Sequence, residues 1–283
     1  MSSNKISLKS AADIERLKKS GRILSKILET LTGMLKPGAK GGILNKRAEE
    51  LAAERGASCS FKGFEGYPAN ICLSRNNEIV HGFPFDKVIE EGDIVGLDLG
   101  IKYKGFFTDS AVTVVIPYSS VGTGLRSVPT EIKKKQRLAN TAFDCLKNSL
   151  KFCTPGYRLG DIGHSIQDLA EKRGYSVVKN LVGHGVGYTV HEAPLVPNYG
   201  KRGSGIRLQP GMVLAIEPMV NAGTDNVVMD KNDGWTFLTA DGSPSAHFEW
   251  TVAITNNEPI VLTPLDWVEN EQLRKKNEDK QLP

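Results

Sequence analysis

The sequence predicts an α/β (α+β) domain of two pseudo-symmetric halves around a site, on three observations. Amphipathic helical stretches alternate with runs of strand periodicity along the 283 residues. Residues 37–56 repeat at 155–174, matching Pro37, Gly38, Gly42, Leu51, Ala52, Arg55 and Gly56 to Pro155, Gly156, Gly160, Leu169, Ala170, Arg173 and Gly174. Two strand-like runs, 93–101 and 106–116, flank a short polar turn and read as a hairpin. The repeat is too long for a solenoid, so duplication of one α+β half explains it.

Each element has its own signal. Ser10 stands before Ala11-Ala12-Asp13 in capping-box spacing, and Ile14, Leu17, Leu24, Leu28 and Leu31 mark one face of a first helix that Pro37-Gly38 ends. Leu44, Ala48, Leu51 and Ala52 mark a second, stopped by Gly56. Ile132, Leu138, Cys145 and Leu146 mark a third; Leu159, Ile162, Ile166 and Leu169 mark a fourth, closed by Gly174. Residues 212–216, 235–239 and 247–254 read as strands, with Asp241-Gly242 and Asn256-Asn257 as turns. The expectation is one domain over 1–267, with halves at about 8–116 and 129–260 joined by a loop at 117–130, and a charged tail at 268–283.

Composition narrows the class. With 40% hydrophobic and 24% charged residues the chain is globular, not disordered or fibrous. Its longest clean apolar run, Met212 to Ile216, is far short of the ~20 residues of a membrane span. The first ten residues contain no apolar stretch of the secretory kind, so a cytoplasmic protein is expected, with no membrane partner. Cys59, Cys72, Cys145 and Cys153 form no C-x-x-C pair, and reduced thiols follow from that location. The net charge of +4 is compatible with work near ribosomes but marks no specific nucleic-acid site, and Lys133-Lys134-Lys135 reads as a solvated helix face.

The hairpin carries the chemistry. A turn centred between Tyr103 and Lys104 would set Asp98 directly opposite Asp109 on one face, with Cβ atoms about 4.5–5.5 Å apart. Two opposed carboxylates repel, so either one is protonated or a cation lies between them; the cation is the economical answer. Glu217 follows an apolar strand, Glu249 lies inside another, and His184 sits among Gly183, Gly185 and Gly187, which would let backbone approach a site closely. Each has a plain alternative: an aspartate at a loop end, a structural histidine, a strand exit before Pro218. Their joint occurrence favours metal. Carboxylates with one imidazole suit Mn²⁺, Fe²⁺, Co²⁺ or Zn²⁺, and can bridge two ions about 3.5–4 Å apart that share a hydrolytic water. His164 reads as surface, and His247 shares strand parity with Glu249. No G-x-S-x-G, H-E-x-x-H or Walker motif is present, and Gly183-x-Gly185-x-Gly187 lacks dinucleotide-site spacing.

At these residues the sequence resembles the methionine aminopeptidases, in the type I, bacterial-like form, over about residues 8–267. The motifs are Asn77-Glu-Ile-Val-His81-Gly, Asp98-Leu-Gly, Thr108-Asp109-Ser110, Gly183-His184-Gly185, His191-Glu-Ala-Pro194, Ile216-Glu217-Pro218 and the Glu249 strand. The resemblance implies the pita-bread (creatinase/aminopeptidase) fold around a dinuclear metal site. It implies metal ligation by Asp98, Asp109, His184, Glu217 and Glu249, with Asp109 and Glu249 bridging. It places His81 and His191 on the substrate and Tyr67, Cys72 and Trp235 around a methionine pocket. Val190 departs from the aromatic that commonly precedes the histidine at 191, and the 117–130 loop is longer than usual; both touch pocket shape, not reaction type.

The implied reaction removes the initiator methionine from nascent proteins and peptides when the second residue is small. Glu217 would shuttle the proton, His191 would stabilise the oxyanion, His81 would contact the amide nitrogen, and Asp98 would help receive the α-amino group. Nascent N-termini are the implied partners, with the ribosome a candidate, and the chain is expected to be a monomer. Two rivals are a proline-specific peptidase of the same fold, which usually carries a further N-terminal domain, and a binding module that has lost its ligands.

Overall fold

Helix boundaries follow local chemistry. The Ser10 hydroxyl accepts from the Asp13 backbone N–H while the Asp13 carboxylate accepts from the Ser10 N–H, and this capping box starts α1 (Ala11–Gly33). Leu17, Leu24, Leu28 and Leu31 are fully buried along it. The computed structural model, which describes residues 5–118 and 129–269, continues with α2 (Gly41–Glu54), α3 (Thr130–Ser149) and α4 (Leu159–Lys172). The repeated segments are alike in structure: α2 and α4 each have 14 residues and begin and end at matching positions of the repeat. The recurring glycines have a backbone reason. Gly38, Gly56, Gly156 and Gly174 all have positive φ, at 83°, 68°, 105° and 80°, which side chains with a Cβ resist.

The strands of the first part are β1 (Ser58–Cys59), β2 (Cys72–Arg75), β3 (Glu78–Val80), β4 (Ile94–Tyr103) and β5 (Phe106–Val115). Those that follow are β6 (Ser176–Val177), β7 (Gly183–Gly185), β8 (Glu192–Val196), β9 (Val213–Ile216), β10 (Met219–Asn221), β11 (Val227–Met229), β12 (Phe237–Thr239), β13 (Ser245–His247), β14 (Trp250–Ala253) and β15 (Ile260–Val261). One sheet runs β1-β4-β2 with β5 on β4, and another runs β15-β14-β9-β7-β8. Smaller sheets join β13-β10-β6 and β11-β12-β3. One continuous apolar core takes in α1 to α4 and both large sheets.

Two expectations need correction. The hairpin turns one residue later than the polar run suggested. Tyr103 pairs with Phe106, and Lys104 and Gly105 both have positive φ, at 47° and 85°, as a two-residue type I′ turn requires. Asp98 therefore faces Ala111 and Asp109 faces Gly100. The aspartates are diagonal neighbours, still on one face because the slip moves the pairing by two positions. The strand expected over 247–254 is also not continuous. It breaks at Phe248-Glu249, where the chain passes from the β10 sheet to the β9 sheet.

That break forms the seam that builds the site. Glu249 N–H donates to Ala111 O at 3.0 Å, and the Ser110 hydroxyl donates to Glu249 O at 2.8 Å. Asp109 N–H donates to the Thr251 hydroxyl, which in turn donates to Asp109 O at 2.7 Å. Thr113 and His247 exchange a similar pair. Short hydroxyl side chains thus lace β5 to β13 and β14 and set Asp109 beside Glu249. The 117–130 loop and the 268–283 tail lie, except for their edges, outside the described residues. No helix among the described residues is long and apolar enough to cross a membrane, and their cysteines are free thiols.

Candidate metal centre

Four stretches of backbone converge on one cavity of about 90 Å³. The hairpin contributes Asp98 and Asp109, β7 contributes His184, the β9–β10 junction contributes Glu217, and the β13–β14 break contributes Glu249. Among the described residues, Asp109, His184 and Glu249 offer ligand atoms all within 4.8 Å of one another. Glu217 lies against them, with Oε1 3.7 Å from His184 Nε2 and Oε2 3.4 Å from His247 Nε2. Asp98 Oδ1, Glu249 Oε1 and His247 Nε2 are buried with no hydrogen-bond partner. Oxygens left bare inside a protein are costly, and a divalent cation is the group that satisfies several at once.

The electrostatics point the same way. Burial, then the charges of Asp109 and Glu217, holds the Asp98 carboxyl well above the ordinary carboxylate range. Burial, then Asp109, does the same to Glu249. Burial raises Asp109 to about 7, with Glu217 adding, and burial alone raises Glu217 to about 8. The imidazoles move oppositely: burial lowers His184 and His247 to about 3 and His81 to about 4, so all three are neutral at physiological pH. Neutral imidazole is the state a metal requires of a histidine ligand, and carboxyls crowded enough to resist ionisation are the groups whose charge a bound cation would offset.

A pH dependence follows for the metal-free protein. Asp109 and Glu217 have folded-state values above their unfolded ones, so their stabilising contribution is complete below about pH 4 and is lost as pH rises through 7 and 8. The histidines, whose folded values are lowered, contribute no slope above their unfolded value of about 6.5. Stability of the stripped protein should therefore fall between pH 6.5 and 8, while metal-loaded protein, its carboxylates already ionised, should not follow. Urea titrations of both forms at the two pH values check this; parallel curves would contradict it.

The lining beside the carboxylates is aromatic. Tyr67 and Trp235 meet edge to face at 5.4 Å, and Cys72 lines the cavity beside them. Tyr67 OH donates to Ile71 O and Gly82 O, fixing the ring. The Asp233 carboxylate accepts from the Trp235 and Thr236 backbone N–H groups, holding the turn that carries the indole. His81 lines the cavity with φ of 58°, an unusual conformation for a residue with a Cβ. The His191 ring lies 4.0 Å from that of His184, and burial lowers its pKa.

All ten residues expected at the site thus line one cavity. His164 sits half-buried on α4, away from it. Sequence reasoning gave no place to Phe61, Phe64 and Glu65, which line the cavity with Val190. Their only signal was an aromatic-glycine run just before Tyr67. His247 reaches Glu217 across the β10–β13 pair, where it faces Met219, a contact that strand parity with Glu249 could not supply. The glycines around His184 also serve differently from expectation. A Cβ on Gly183 would lie 2.3 Å from Ala215 O, one on Gly185 2.4 Å from Ala193 O, and one on Gly187 2.5 Å from Lys9 Cε. They let neighbouring strands and Lys9 pass close to the backbone of β7 and of the residues just after it.

The profile of metallopeptidase family M24 matches residues 15–256. The methionine aminopeptidase of Clostridium perfringens is 42% identical over 258 residues, covering 91% of this chain and 98% of the relative. The crystal structure of methionine aminopeptidase from Thermotoga maritima superposes with a TM-score of 0.84 at 38% identity, over 92% of this chain and 99% of that one. A prolidase from Pyrococcus horikoshii shares the fold, with a TM-score of 0.70 at 23% identity, over 91% of this chain and 63% of its own.

Proposed function

The chain belongs to metallopeptidase family M24, among its methionine aminopeptidases, and we propose how its own residues remove an N-terminal methionine. The observation that carries the reading is the buried set Asp109, His184 and Glu249, with the unpartnered oxygens of Asp98 and Glu249 beside it. These residues and Glu217 would hold two divalent ions, Mn²⁺, Fe²⁺, Co²⁺ or Zn²⁺. When bound, such ions lower the pKa of water toward neutrality and polarise the scissile carbonyl.

The remaining work falls to protein side chains. Glu217, between His184 and His247, is placed to accept a proton from the attacking water and deliver it to the leaving amine. His191 donates a hydrogen bond to the carbonyl oxygen as charge develops there. His81, buried and neutral, contacts the amide nitrogen. Asp98, whose Oδ1 lacks a partner, receives the substrate's free α-ammonium group. Tyr67, Cys72 and Trp235 form an apolar slot for the thioether, a group that adapts to such surfaces. Nascent polypeptides with a small second residue are the proposed substrates, met by a cytoplasmic monomer, with the ribosome the candidate place of encounter.

His191→Ala separates catalysis from metal binding. The variant should keep its metal, because His191 is not among the proposed ligands, and lose on the order of 10²–10³ in kcat, the usual cost of one oxyanion donor. Metal analysis beside steady-state cleavage of a Met-Ala peptide decides it. Loss of metal with normal turnover per remaining ion would move the oxyanion role elsewhere.

A further inference from the structure

His191 rides on the six residues between β7 and β8, and that loop is held from below by a segment distant in sequence. The Glu192 carboxylate folds back on the loop: Oε1 accepts from the Tyr188 N–H and from the Thr189 N–H at 3.0 Å. The Thr189 hydroxyl donates to His191 O at 2.8 Å, so Glu192 holds the start of the turn and Thr189 ties that start to His191. Oε2 of the same carboxylate takes the Lys9 ammonium at 2.5 Å and the Ser7 hydroxyl, and Lys9 Nζ also donates to Ser7 Oγ at 2.6 Å. The Lys9 side chain is 1% exposed and that of Glu192 10%, an ion pair shut inside the fold.

The approach is built for Lys9. Its backbone N–H donates to Gly211 O at 2.7 Å, and its stem crosses Gly187, where a Cβ would lie 2.5 Å from Lys9 Cε. One turn further on, the Tyr188 hydroxyl donates to the Asp13 carboxylate of the α1 cap at 2.9 Å, and Lys9 Nζ lies 5.1 Å from the Tyr188 ring centre. A buried ion pair stabilises little over an apolar pair of the same shape, yet breaking one is costly, and such pairs can fix a unique geometry. Nothing in the proposed chemistry requires a lysine here.

We propose that Lys9 is a positioning residue for His191: paired with Glu192, it fixes the loop so that the imidazole stays aimed into the cavity. This rests on the reading of His191 as an oxyanion donor, and the test separates the two. A displacement of about 1 Å in a catalytic group can cost up to ~10²-fold, so Lys9→Met should lower kcat about tenfold with KM and metal content near wild type. In a His191→Ala background the same substitution should cost nothing further in kcat, since the group it positions is gone. A loss that multiplies equally in both backgrounds is what a general structural role produces, and would overturn the proposal, as would an unchanged kcat in Lys9→Met alone. If His191→Ala itself keeps wild-type kcat, the oxyanion reading fails and this inference falls with it. Should Lys9→Met not fold, Ser7→Ala removes one contact to the same carboxylate; about threefold in the wild-type background and none beside His191→Ala is expected, and equal losses would overturn the proposal.

Discussion

Asp109→Asn should strip the enzyme of metal and reduce cleavage of Met-Ala peptides by on the order of 10³-fold or more, the several kcal/mol a hydrolytic metal supplies. The effect would be large because Asp109 lies within ligand reach of both His184 and Glu249, so its loss would break the proposed metal-holding set. Asparagine nearly matches its shape, and the backbone bonds of residue 109 to Thr251 do not involve the carboxylate. Folding should therefore survive. The metal-free variant should melt above the metal-free parent, because burial and Glu217 both oppose the charge that the substitution removes. Metal content, turnover and melting temperature read the three parts. A variant that retained metal and full turnover would remove Asp109 from the ligand set.

Blocking the substrate's amino group should be nearly as severe. Met-Ala-x peptides should be cleaved, while N-acetylated or N-formylated versions should be refused by on the order of 10⁴-fold, as expected when a buried polar group is left without its partner. The group in question is Asp98, whose Oδ1 has no other hydrogen bond. In the same panel a bulky second residue such as Lys or Phe should be refused. Rapid release from Gly-Pro-x with none from Met-Ala-x would instead indicate a proline peptidase, and cleavage of the blocked peptides would show that Asp98 does not read the α-ammonium group.

Much of this was legible in the chain because the decisive signals are local. The Ser10-Asp13 cap, the helical faces and the paired Pro-Gly and Gly stops each depend on residues a few positions apart. Asp98 and Asp109 were legible as a same-face pair because a hairpin slip of two positions keeps side chains on their face. Their register was not, since it depended on whether Tyr103-Lys104 or Lys104-Gly105 takes the two left-handed positions. The glycine second in the latter pair was the available signal. What stayed hidden is long-range. No periodicity announces that Phe248-Glu249 leaves one sheet for another, that His247 meets Glu217, or that Lys9 passes over Gly187.

The central claim is that the buried carboxylates of this cavity exist to hold catalytic metal. Its most direct test is titration of chelator-stripped protein with Mn²⁺ or Co²⁺, following bound ion per chain and Met-Ala-x cleavage together. Stripped protein should be inactive, and activity should return in step with occupancy and level off at two ions per chain. Full activity in the stripped protein, or metal uptake that leaves cleavage unchanged, would contradict the account.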